Sequence, residues 1–171
     1  VMRQLEALFG GWFSSGEPGV LCIPDAPKPQ TIVQVCVPLP EKSQVDLYWG
    51  TLGPSRTSPD YYAARMADLV LGRLGLMGRL GDRIRDELGL AYYVSSHLES
   101  GQGPVAWRIS AGVRASDIAR TVEEIRSEVR RLLQTFITDE ELADCRSYLI
   151  GSMPLDLETN SDIAEQILAI E

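Results

Sequence analysis

Arg85 and Tyr92 are the side chains of this 171-residue chain best suited to act on a neutral polar group. They lie seven positions apart in the stretch Arg79-Leu80-Gly81-Asp82-Arg83-Ile84-Arg85-Asp86-Glu87-Leu88-Gly89-Leu90-Ala91-Tyr92. The stretch reads as a short charged helix over 79–88, a glycine stop at Gly89 and the start of a strand. Its guanidinium is a permanent cation with forked N–H donors, and its phenol is a neutral O–H donor. Held at one helix–strand junction, they could bind a peptide carbonyl and the negative charge that develops on it during hydrolysis. Plainer readings compete. Arg85 fits a surface charge near a helix C-terminus, where the dipole favours cations. Tyr92 shares strand parity with Val94 and Leu98 and fits a core aromatic, with Tyr93 and His97 on the opposite face.

The rest of the chemical inventory is sparse. His97 is the one histidine, and no HxxEH, HxxxH or HExxH occurs. A catalytic zinc site takes three protein ligands plus an open position for water, so this chain cannot assemble one alone. His97 therefore reads as a surface or strand residue. Cys22, Cys36 and Cys145 have no CxxC spacing, which points to neither a disulfide framework nor a zinc site. Cys36 lies in an apolar run and reads as a small core residue. The formal charge of −8 disfavours nucleic acid and acidic membranes as partners. No apolar run approaches the ~20 residues that span a bilayer, and no signal peptide is visible, so a soluble protein of unassigned location is expected. With 44% apolar and 23% charged residues, the composition is that of a folded protein with one ordinary core.

The elements that must position Arg85 and Tyr92 are set by hydrophobic period and turn chemistry. Both ends look cut: residues 1–13 read as the end of a helix from a preceding segment, and Ile163, Ile167 and Ile170 still step as a helix near the last residue. Residues 14–30, with Pro18, Pro24, Pro27 and Pro29, read as a linker, and 31–171 as a single domain truncated at its C-terminus. Thr31–Val37 is β-branched and reads as a strand. Residues 43–51 alternate, with Val45, Leu47 and Trp49 on one face. Ser58-Pro59-Asp60 reads as a helix start, with the helix running to about Leu71. The glycine-rich loop at 72–78 lacks the spacing of a nucleotide fingerprint. Two strands, 91–99 and 105–113, form a hairpin through 100–104. Ile118, Val122, Ile125, Val129 and Leu132 make the stripe of a helix lying on a sheet. Thr138 and Glu141 form a capping box, and Pro154 ends or kinks the helix that it opens. The expected architecture is α+β: a two-layer, mostly antiparallel sheet with helices packed on one face.

Several of these segments resemble one family in the right order across residues 43–171. Arg79-Leu80 and Arg85 to Tyr92 resemble the "RL…REKxGLAY" segment of the pitrilysin-type zinc metallopeptidases, which include insulysin and the mitochondrial processing peptidases. Arg56 to Tyr62 resembles their "R-x-x-P-D-Y-Y" helix entry, and Thr138 to Leu142 their "T-x-E-E-L" helix start. Gly151 to Leu155 and Glu158 to Asn160 resemble the family's next stretch, whereas 72–78 departs from a "GGGFSS" loop. The resemblance implies a LuxS/MPP-like fold and a clamshell of two homologous halves. One half carries H-x-x-E-H and zinc. The other is metal-free and presents an arginine and a tyrosine, here Arg85 and Tyr92, to the peptide carbonyl and oxyanion.

The chain resembles the second kind. Its implied partners are a peptide substrate and a homologous zinc-bearing domain or subunit. Its own cofactor is none, and it is not expected to be active alone. The alternative is a catalytically silent scaffold, or a peptide-binding member of the same fold.

Overall fold

The computed structural model describes residues 2–12 and 23–170. Cys22, Pro18 and most of the expected linker lie outside the described residues, as do both terminal residues. Helix α1 (Met2–Phe9) is exposed along its length.

Strands β1 (Gln44–Gly53), β2 (Ala91–Leu98) and β3 (Val105–Arg114) form an antiparallel sheet in the order β1-β3-β2. Leu47 and Val94 both lie opposite Ala111, so a single row of apolar side chains crosses all three strands. Alternate residues point to the other face, which no helix among the described residues covers. Helix α2 (Tyr61–Gly72), the single turn α3 (Gly78–Leu80), a π-helix (Gly81–Glu87) and α4 (Ile118–Gln134) cover the apolar face. Helices α5 (Asp139–Ser152) and α6 (Asn160–Ile170) come next in the chain. The main core joins Leu71, Leu80, Ile84, Val94, Ile109 and Ile125. A second cluster seats Cys145 of α5 on Leu69 and Val70 of α2.

This is the expected two-layer α+β architecture, and the hairpin, the α4 stripe and the Thr138–Glu141 capping box are all present. Three expectations need correction. Thr31–Val37 forms no strand, and Ile32, Val33, Val35 and Val37 are exposed. β-Propensity describes fit to a paired, half-buried surface, and here no neighbouring strand supplies one among the described residues. Cys36, in the same run, is consequently exposed rather than a core residue. The helix expected from Ser58 begins at Tyr61, because Ser58 spends its hydroxyl on the Asp60 N–H and its carbonyl on the Tyr61 N–H in a preceding turn.

A buried polar group ties the two layers together. Asp68 of α2 accepts the Ser96 hydroxyl at 2.5 Å and the Trp107 indole N–H at 2.8 Å. A buried carboxylate is tolerated when hydrogen-bonded, and these bonds fix α2 to β2 and β3 together. The position of the element that precedes the 79–92 stretch is thereby set.

Candidate functional site

The segment 79–88 is not the regular α-helix that its charge pattern suggests. After one α turn the backbone widens into a π-helix over Gly81–Glu87. The Leu88 N–H donates to the Arg83 carbonyl at 3.2 Å, five residues back, and the Leu90 N–H to the Ile84 carbonyl at 2.9 Å. Gly89, at φ +60°, turns the chain out of this helix and into β2. Leu80 and Ile84 are fully buried and hold the helix on the sheet. π-Helical turns are rare and recur at functional sites.

The three arginines here have different surroundings. Arg79 makes a two-pronged pair with Glu141, its Nε at 2.6 Å from Oε1 and a terminal nitrogen at 2.7 Å from Oε2. The Arg79 guanidinium holds the Glu141 carboxyl at about 2, against an ordinary 4.5, and the Thr138 N–H adds to this. Arg83 is shared between Glu124 at 3.1 Å and Glu87 at 2.8 Å. Arg85 has only Asp86 within ion-pair range among the described residues, at 3.8 Å, beyond hydrogen-bonding distance. A third of its side chain, 34%, is open to solvent.

Tyr92 lies just past the turn and is 79% exposed. The expected parity with Val94 and Leu98 fails, because Ala91 pairs with Val113 while Tyr93 pairs with Gly112. Tyr92 is the extra residue of a β-bulge and is not a core aromatic. Bulges re-aim side chains, often beside active sites. Tyr93 takes the uncovered face instead and donates its hydroxyl to Asp46 Oδ1 at 2.9 Å. Burial, then that bond, push its pKa up to about 12, so it remains a neutral phenol.

Arg85 in the last π turn and Tyr92 at the second position of β2 thus flank a single short connection. The sequence pattern marks both residues, but neither the bulge nor the partner of Arg79. Glu141 is visible there as a capping residue, and nothing local links it to an arginine 62 positions away. His97 is exposed on β2, and Trp49 and Trp107 pack against the core. Among the described residues no group of three or more His, Cys, Asp or Glu could hold a metal ion, so the residues present do not fit a zinc site. No helix among them is long and apolar enough to cross a membrane.

A three-stranded antiparallel sheet covered on one face by helices defines the fold class as two-layer α+β. A family model described as the peptidase M16 inactive domain matches residues 1–149. The chain belongs to this family of inactive domains from zinc-dependent, pitrilysin-like metallopeptidases. Two uncharacterized zinc proteases are similar to it. One, from Streptomyces coelicolor, is 27% identical over 72% of this chain and 27% of its own length. The other, YmxG of Bacillus subtilis, is 27% identical over 95% of this chain and 39% of its own length. The chain therefore spans well under half the length of these relatives. A peptidase M16 inactive domain from Pseudomonas fluorescens superposes with a TM-score of 0.65 at 30% identity, over 73% of this chain and 30% of that one. The periplasmic protease PqqL of Escherichia coli shares the fold, with a TM-score of 0.66 at 18% identity over 98% of this chain and 19% of that one.

Proposed function

We propose that this chain is the substrate-binding, metal-free half of a clamshell zinc peptidase, with Arg85 and Tyr92 its contacts to the reacting peptide bond. The observation that carries the reading is the contrast within one segment. Arg79 and Arg83 are spent on carboxylates. Arg85 meets none at hydrogen-bonding distance among the described residues, and it stands across a single turn from a bulged, exposed tyrosine. Family membership supports the reading, as does the naming of similar proteins as zinc proteases.

In this role the Arg85 fork binds carbonyl oxygens of the peptide backbone and holds the chain in register. The Tyr92 hydroxyl donates to the carbonyl oxygen as it gains negative charge. That bond strengthens in the transition state, which is where it lowers the barrier. The metal belongs to a homologous partner half, and closing the two halves on the peptide excludes water and completes the site.

The test uses the whole protein with its zinc-bearing half. Arg85→Ala is expected to lower kcat/KM for peptide hydrolysis by about 10²-fold while the unfolding midpoint stays near that of the parent protein. Unchanged kcat/KM would remove Arg85 from the mechanism. A complete protein with no H-x-x-E-H half and no hydrolysis would leave a silent scaffold instead.

A further inference from the structure

The uncovered face of the sheet carries a hollow of about 350 Å³, lined by Tyr48, Arg73, Ser95, His97, Arg108 and Ser110. Two successive rows of the ladder build it. Tyr48, Ser110 and Ser95 lie side by side across β1, β3 and β2, and the two serine hydroxyls are 3.1 Å apart. In the next row Gly50, Arg108 and His97 are neighbours. Gly50 adds no side chain to this row, and a Cβ there would come within 2.8 Å of the Trp107 carbonyl oxygen and 3.4 Å of the Arg108 Cβ, so β1 packs closely beside the Arg108 stem. Serine hydroxyls and basic side chains thus share one hollow.

Tyr93 stands in the adjacent row, opposite Gly112. Its ring lies across Gly112, where any Cβ would collide with it, and its hydroxyl is tied to Asp46 on the far strand. Arg73 reaches the hollow from the end of α2, which Gly72 seats against the Ser96 backbone.

The charge of the hollow runs against that of the molecule. The chain carries −8, yet Arg73, Arg108 and His97 are among the residues that line it. The only carboxylate in ion-pair range of either guanidinium, among the described residues, is Glu99, 3.7 Å from Arg108 and too far for a hydrogen bond. Arginine forks and clustered hydroxyls are the donors that recognise a planar oxyanion.

We infer that this hollow binds an acidic side chain of the peptide substrate, so that the peptidase selects acidic segments. The inference rests on the proposed role of Tyr92, because β2 carries both sites. From Tyr92 to Ser95 and His97 the strand advances three to five residues, about 10–17 Å at ~3.3 Å each. An extended peptide has nearly the same rise. The acidic residue therefore sits three to five positions from the bond that is cut.

The experiment compares hydrolysis, by the whole protein, of peptides that differ only by Glu or Gln at each of those positions. The expected kcat/KM ratio favours Glu by about fivefold or more at one position. That ratio falls to near one in Arg73→Gln and Arg108→Gln, and Arg108→Glu favours Lys at the same position. Both arginines are exposed, so these variants should fold. The inference is overturned if no position prefers Glu, or if a Glu preference survives both Gln substitutions. Failure of the underlying reading looks different. In that case Tyr92→Phe leaves turnover intact, while any Glu preference still depends on Arg108.

Discussion

Arg79 and Arg85 lie six positions apart in one charged segment, in unlike surroundings. The Arg79 side chain is 11% exposed and bound at two points to Glu141. Arg85 is 34% exposed, with its nearest carboxylate 3.8 Å away on the adjacent residue. Identical chemistry is thus assigned to architecture in one place and left available in the other. Nothing in the segment decides this. The deciding group is a carboxylate at the third position of α5, already oriented by the Thr138 cap. An arginine is structural when a distant, pre-positioned acid claims it.

Substitutions on the two sides of that divide should separate cleanly. The largest effect on stability is expected at Ile84, fully buried one residue before Arg85. Ile84→Ala should cost about 3–4 kcal/mol in chemical denaturation, and a cost below about 1 kcal/mol would show that the π-helix is not anchored there. Arg79→Ala should cost about 2–3 kcal/mol, since it leaves the Glu141 carboxylate half-buried without its cation. A cost near zero would erase the contrast with Arg85.

The same pair gives a pH signature. Glu141 has a folded pKa of about 2, lowered from 4.5, first by its hydrogen bond to Arg79. Its contribution, about 2 kcal/mol after solvent screening, is complete above about pH 4.5 and is lost as pH falls through about 2. Urea midpoints between pH 2 and pH 6 should show this drop and should lose it in Glu141→Gln. The smallest stability change belongs to Arg85→Ala, within about 0.5 kcal/mol of the parent protein by the same assay. A larger loss would move Arg85 to the structural side.

Most of the scaffold is legible in local pattern. Alternation in 105–113 sets the central strand, the stripe from Ile118 to Leu132 sets α4, and the Thr138 box sets the start of α5. What is not legible depends on partners. Thr31–Val37 has the composition of a strand and, with no described strand paired to it, remains exposed. The parity of Tyr92 turns on one extra residue opposite Gly112, because a period of two reverses with a single insertion. The π widening of 81–87 leaves no mark in a charge pattern that an α-helix would share. The resemblance of 79–92 to the metallopeptidase segment singles out Arg85 and Tyr92, and only the fold separates Arg85 from its neighbours.

The central claim is that the bulged phenol acts on the developing charge rather than on the fold. The measurement is kcat of Tyr92→Phe in the whole protein at saturating peptide, beside its unfolding midpoint. A fall in kcat of about 10²-fold, with KM and the midpoint nearly unchanged, is the expected result. A kcat equal to that of the parent protein would contradict it.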